Sequence, residues 1–197
     1  MVDSDSYRFP LEKDASWNSY GRQKQRYQII SNALGRDSNG AEIGVYKGGF
    51  GEFLLPHCRH LFLVDPWYRL KPQWNVAVEN STVDALINIL NVYREDIHRR
   101  RVSVIVDFGV EFLLSLEAGE LDWVYLDASH SYEDTVRELD AACRAVRPGG
   151  WILGDDYDPD PASKQHGVFL AVNEILTRRG LRLEINESRQ YGFRNSP

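Results

Sequence analysis

The 197-residue sequence predicts an α/β fold, a doubly wound, mostly parallel sheet with helices on both faces. Three observations predict it. Short apolar runs alternate with longer segments of helical periodicity. Gly, Pro and acidic residues punctuate the junctions. Four of the five strands in the alternating part end at aspartate, namely Asp65, Asp107, Asp127 and Asp155.

Each element follows in order. Residues 1–14 read as a loose polar arm. Trp17, Tyr20, Tyr27, Ile30 and Leu34 suit one face of a first helix, stopped at Gly35. Ala41 to Val45 is strand 1, followed by a turn holding Gly48 and Gly49 and a helix through Phe53 and Leu54. Leu61 to Val64 is strand 2, closed by Asp65-Pro66. The next helix presents Val83, Leu86, Ile87, Leu90 and Ile97, with Ser81 and Asp84 as a capping pair. Val102 to Val106 is strand 3, and Val110 to Leu116 a short helix. Trp123 to Leu126 is strand 4. Ser131 and Asp134 cap a helix whose face carries Val136, Leu139, Ala142 and Val146, stopped by Pro148-Gly149-Gly150. Trp151 to Leu153 is strand 5. A helix from Val168 to Arg179 ends at Gly180, and Leu181–Ile185 and Gln190–Phe193 are final strands.

Composition excludes several functions. A net charge of -6 argues against general nucleic-acid binding, which needs clustered Lys and Arg. The run Arg99-Arg100-Arg101 ends a helix, where cations suit the dipole. No apolar run approaches the ~20 residues of a membrane helix, and no signal-peptide core is present. Cys58 and Cys143 lack metal-ligand spacing and read as reduced thiols of a cytoplasmic protein.

In such a sheet the ligand binds at the C-terminal edge of the strands, where the acids collect. Glu42-Ile43-Gly44-Val45-Tyr46-Lys47-Gly48-Gly49 opens that edge with small residues that let a ligand approach the backbone. It is neither the dinucleotide fingerprint nor a P-loop, and alone it is equally a tight turn. Asp65 follows about 20 residues later, where an acid accepts hydrogen bonds from ribose hydroxyls. It also reads as a turn residue before Pro66. Together the two favour nucleoside binding.

The stretches AEIGVYKGGFGEFLL, LFLVDPW, LDWVYLDASHSYED and RAVRPGGWILGDDY resemble the motifs of class I S-adenosylmethionine-dependent methyltransferases over roughly residues 40–176. That resemblance implies a Rossmann-like, seven-stranded sheet with the last strand antiparallel. It makes residues 40–197 the S-adenosylmethionine-binding domain and residues 1–39 a substrate-side cover. Cofactor contacts are implied at Glu42, Gly44, Tyr46, Gly48, Asp65, Asp107, Phe108 and Asp127. Asp107-Phe108-Gly109 departs from the family's frequent Gly-Asp-Ser, so Phe108 would pack on the purine in place of the polar contact.

The acidic strand ends are similar to those of metal-dependent O-methyltransferases of catechols, sugars and antibiotics. The similarity implies a magnesium site at Asp127, Asp155 and Asp156. A three-carboxylate set suits a hard dication, magnesium first, with manganese or calcium as alternatives. The other reading of Asp155-Asp156 is the start of a solvated acidic loop, as Asp158 and Asp160 are read. His130, three residues after Asp127, is placed where catechol O-methyltransferase carries its catalytic lysine. It reads either as the base or as a helix cap, and His166 as a weaker candidate.

The expectation is a metal-assisted O-methyltransferase of a small hydroxylated molecule, of sugar, polyketide or phenol type, with Asp127 and His130 catalytic. Trp17, Tyr20, Trp67, Tyr68, Trp74 and Tyr157 would select the acceptor or cover the core. A homodimer is expected, with neither nucleic acid nor membrane as partner. The alternatives are a metal-independent enzyme using His130 as base, and a nucleoside-binding interaction protein without catalysis.

Overall fold

The structure, a computed structural model, describes residues 1–70 and 81–196. Its centre is a seven-stranded sheet in the order β3-β2-β1-β4-β5-β7-β6. The strands are β1 (Ser38–Ile43), β2 (Cys58–Val64), β3 (Val102–Ile105), β4 (Leu121–Leu126), β5 (Val146–Gly154), β6 (Ile185–Glu187) and β7 (Gln190–Arg194). β1 to β5 run parallel, while β7 pairs antiparallel with both β5 and β6. The expected seven-stranded arrangement is therefore present.

Alternation along the strands sorts side chains to two covered faces. Trp123 and Tyr125 turn to one face, where α1 (Tyr20–Ile30), α2 (Gly51–Leu54), α3 (Ser81–Val92) and α4 (Arg94–His98) bring Ile30, Phe53, Leu54, Ile89 and Ile97, with Tyr93 at the junction of α3 and α4. Val124 and Leu126 turn to the other, under α5 (Gly109–Ser115), α6 (Tyr132–Ala145) and α7 (His166–Arg179), which contribute Leu113, Leu139, Ala142, Val172 and Ile175. Ser131 caps α6 by accepting from the Asp134 amide at 3.2 Å, as its sequence position predicts. Gly180 closes α7 in the left-handed region at φ 65°, with the Leu181 amide reaching back to the Leu176 carbonyl.

Several expectations shift. The arm is tied down: Phe9 is buried, and Arg8 pairs with Glu52 and, at 3.0 Å, with Asp96. β1 begins at Ser38, so the expected boundary after residue 39 falls inside a strand. Along α3 it is Ala85 and Ile89 that are buried, continued by Tyr93 beyond its end, whereas Val83, Ile87 and Leu90 face outward. The helix is rotated by about one residue from the face its aliphatic side chains predict. The side chain of Ser81, and with it the proposed capping pair, lies outside the described residues, as does Trp74. The strand expected at Leu181–Ile185 forms later, at Ile185–Glu187. Its two-residue hairpin turn puts Ser188 and Arg189 at φ 49° and 67° without any glycine to announce it. Among the described residues no helix is long and apolar enough to cross a membrane.

Candidate functional site

Backbone hydrogen bonds stitch the strand ends into one edge. The Gly44 amide reaches the Val64 carbonyl at 2.9 Å, the Asp127 amide reaches Ile43 at 2.8 Å, and the Asp155 amide reaches Leu126 at 3.1 Å. Asp65 likewise donates to Ile105 at 3.2 Å. Acids far apart in sequence thus become neighbours.

The glycine turn is a close approach of two backbones. Gly44 sits at φ 89°, and a Cβ there would lie 2.0 Å from the Asp127 carbonyl oxygen. Only glycine fits this contact. The turn is held from below by Asp65, which is buried. Its Oδ2 accepts from the Tyr46 amide at 2.9 Å and its Oδ1 from the Trp67 amide at 2.7 Å. Tyr46 and Trp67 both occupy positive φ, at 45° and 37°. Such strain persists where surrounding structure enforces it, and functional sites are where it clusters. Burial raises the Asp65 carboxyl, and the backbone donors oppose the rise. The Val45 amide adds to these backbone donors, and the carboxyl retains acceptor capacity for a further donor.

Glu42, on β1 below the turn, is 2% exposed, and its Oε2 has no hydrogen-bond partner. Burial pushes its carboxyl well above the ordinary range, opposed by Arg26. An unpaired buried carboxylate is costly, so this atom marks room for a donor that the described residues do not supply. Across the edge, Asp107 and Phe108 lead into α5, where Asp107 Oδ1 accepts from the Phe108 amide at 2.9 Å.

Asp127, Asp155 and Asp156 do come to one edge, but cations of the chain itself meet them. Arg26 donates through Nη2 to Asp127 Oδ2 at 2.6 Å and lies with Nε 3.3 Å from Asp155 Oδ2. Arg22, one helical turn earlier on α1, reaches both Asp155 oxygens at 3.2 and 3.1 Å. Gln190 donates to Asp155 Oδ1 at 2.5 Å and accepts from Tyr125 Oη at the same distance; Tyr125 Oη in turn accepts from Arg26 Nε at 2.9 Å. Arg26 also lies over the rings of Phe50 and Tyr125, 4.4 and 5.0 Å from their centroids. Burial raises the Asp127 carboxyl to about 6; Arg26 opposes the rise, and Asp155 and Asp156 add to it.

His130 and Asp156 form a separate pair. His130 Nδ1 lies 2.8 Å from Asp156 Oδ2, and Arg189 Nη2 lies 3.1 Å from Asp156 Oδ1. Asp156 is at φ 66°, opposite the strained hairpin residue Arg189, whose carbonyl accepts from the Tyr157 amide at 2.9 Å. The hydrogen bond to Asp156 raises His130 above its ordinary value, against the opposing effect of its partial desolvation. Burial would raise Asp156, but the His130 hydrogen bond and charge, with Arg189, hold it low. In the neutral ring this bond places the proton on Nδ1 and leaves Nε2 as an acceptor. Ser131 caps α6, so His130 is not the cap.

The donor set therefore does not fit the expected dication. Asp127 and Asp155 are committed to a buried guanidinium, and Asp156 to an imidazole and a second guanidinium. Only about 10 Å³ of space remains between Asp127, His130, Asp155 and Asp156, room for one water. Among the described residues no three His, Cys, Asp or Glu side chains converge as metal ligands. Asp158 and Asp160 make loop contacts, as expected. His166 bonds to the Asp158 carbonyl at 3.2 Å and stacks on Phe169. Of the aromatic candidates, Trp67 and Tyr157 are buried while Trp17 and Tyr68 are exposed.

Arg22, Arg26, Arg189 and Gln190 escape a reading of the sequence. The one signal was the i, i+4 spacing of Arg22 and Arg26 on a helix read only for its apolar face.

A family profile described as a methyltransferase domain matches residues 41–157. An uncharacterized protein of Acanthamoeba polyphaga mimivirus is 26% identical over 166 residues, 81% of this chain and 71% of that protein. The solved N-methyltransferase NodS of Bradyrhizobium japonicum WM9 with S-adenosyl-L-homocysteine is 18% identical, with 95% of each chain covered and a TM-score of 0.61. Fibrillarin of Aeropyrum pernix with natively bound S-adenosyl-L-methionine is 14% identical over 90% of this chain and 75% of that one, with a TM-score of 0.58. At these identities the two solved structures show the fold.

Proposed function

The chain belongs to the class I S-adenosylmethionine-dependent methyltransferase family, and from that premise we propose a metal-independent O-methyltransferase of a small hydroxylated molecule with His130 as its base. The single observation that carries this reading is the His130–Asp156 pair at 2.8 Å, which leaves Nε2 on the side of the ring away from Asp156, able to accept a proton when the imidazole is neutral. His130 keeps 44% of its side chain exposed, so a hydroxyl can reach it.

One observation suits the cofactor: the orphaned Glu42 Oε2 below the glycine turn. Glu42 would take the ammonium of the methionine moiety, and Asp65 the ribose hydroxyls through its remaining lone pairs. Asp107 and Phe108 would border the adenine. S-adenosylmethionine, when bound, supplies an electrophilic methyl carbon. His130 accepts the acceptor's hydroxyl proton at Nε2, and Asp156 stabilises the imidazolium that results. The freed oxygen would take the methyl group as its bond to the cofactor's sulfonium breaks, with S-adenosylhomocysteine leaving and the proton kept on His130.

The cofactor placement has a direct test. Asp65→Ala should weaken S-adenosylhomocysteine binding by about 1.5–3 kcal/mol, through lost charged hydrogen bonds and a loosened turn. Unchanged affinity by calorimetry would remove Asp65 from the cofactor site.

The base has a pH test. His130 must be neutral to accept a proton, so kcat/KM falls as pH drops through its raised pKa. Asp156→Asn removes the charge that raises it, and the acid limb should move to lower pH. A limb that stays in place, or moves upward, would show that another group titrates. A metal-assisted reaction remains a second reading because the three aspartates do share an edge. It would require Arg22 and Arg26 to withdraw with α1.

A further inference from the structure

We propose that a cleft beside the glycine turn binds the protonated amine of a small hydroxylated molecule. The cleft holds about 350 Å³, at the lower end of small-ligand sites. Tyr7, Phe9 and Glu12 of the arm line one side, Lys47 of the turn another, and Asp84 and Asn88 of α3 a third. None of the residues assigned to the cofactor lines it.

Its charge decides the ligand class. Lys47 Nζ is committed to Glu12 Oε1 at 2.7 Å. Asp84 has no ion pair or hydrogen bond among the described residues, and neither do the Asn88 amide nor the Tyr7 hydroxyl. Among the described residues the cleft thus carries one uncompensated negative charge beside two neutral polar groups with free capacity. An anion would meet Asp84 and a spent lysine. An ammonium would meet Asp84 directly, with the rings of Tyr7 and Phe9 covering the carbon skeleton. Hydroxyls would suit Asn88 and Tyr7.

The cleft is also joined to the acidic edge. Asn18 donates to Glu12 at 3.3 Å, Gln23 to Asn18 at 3.1 Å, Arg26 to Gln23 at 3.0 Å, and Arg26 to Asp127 at 2.6 Å. A ligand that disturbs Glu12 therefore acts on the chain of bonds that holds Arg26.

The test is an NMR titration of the ¹⁵N-labelled protein saturated with S-adenosylhomocysteine. Three probes of one size and different charge are used: glucosamine, glucose and glucuronate. Glucosamine should give saturable shifts at the side-chain amides of Asn18 and Asn88 and at the Gly49 amide. Glucose should bind about 10-fold or more weakly, glucuronate should give no saturable shift, and Asp84→Ala should cost glucosamine about 10-fold or more. No saturable response to glucosamine, equal responses to all three probes, an unaffected Asp84→Ala, or a glucosamine response that appears only when S-adenosylhomocysteine is left out would each overturn the proposal. Failure of S-adenosylhomocysteine itself to bind would instead strike the methyltransferase reading, independently of the cleft.

Discussion

Arg26→Ala is expected to lower the melting temperature by roughly 6–20 °C. Arg26 and Asp155 are nearly buried, with 5% and 7% of their side chains exposed. Removing the guanidinium leaves Asp127 without a cation and Asp155 with Arg22 alone, and breaking a buried pair from one side costs about 3–5 kcal/mol. For a domain of this size each kcal/mol is about 2–4 °C. Tyr125 and Gln23 also lose their donor. Thermal unfolding followed by circular dichroism reads the effect. Adding Asp127→Asn to Arg26→Ala should recover part of the loss, because the orphaned charge is then gone. A shift below about 3 °C in the single variant, using the same size scaling, would show that the carboxylates find solvent and that the edge is not built around Arg26.

His130→Ala is expected to reduce turnover by about 10²–10⁴-fold while leaving S-adenosylhomocysteine affinity nearly unchanged. The imidazole is the group at this edge with a free acceptor nitrogen and a partner that orients it. Asp127 is engaged by Arg26 and is a poorer base for that reason. The assay follows conversion of S-adenosylmethionine with a panel of hydroxylated acceptors. Turnover within a few-fold of wild type across the pH range would reduce His130 to a packing residue.

The architecture was legible because helices and strands here differ in period and are punctuated by strong signals. Ser131 with Asp134 and the left-handed Gly180 each act locally, so they are visible in a few residues. Aspartates at the strand ends were visible for the same reason, and parallel topology then placed them together. The face of α3 was not legible. Ala85 is small and Tyr93 lies beyond the helix end, so the more apolar Val83, Ile87 and Leu90 dominated the pattern although tertiary contacts bury the other side. The β6–β7 hairpin was misplaced because Ser188 and Arg189 adopt left-handed conformations that ordinarily call for Asn or Gly.

The positive partner of the acidic edge was hidden for a different reason. Arg26 meets Asp127 across 101 positions of sequence, and Arg22 meets Asp155 across 133. A dication and a pair of arginines answer the same electrostatic need, and the sequence of the acids alone does not distinguish them. Folding does: α1 carries both guanidiniums onto the strand ends, where their planar forks match carboxylates.

Calorimetric titration of magnesium chloride into the S-adenosylhomocysteine-saturated protein tests most directly whether arginine has taken the place of metal. With Asp127 and Asp155 held by Arg22 and Arg26, and Asp156 by His130 and Arg189, no saturable heat of binding is expected. A stoichiometric isotherm that disappears in Asp127→Asn would contradict this arrangement and return the three aspartates to metal ligation.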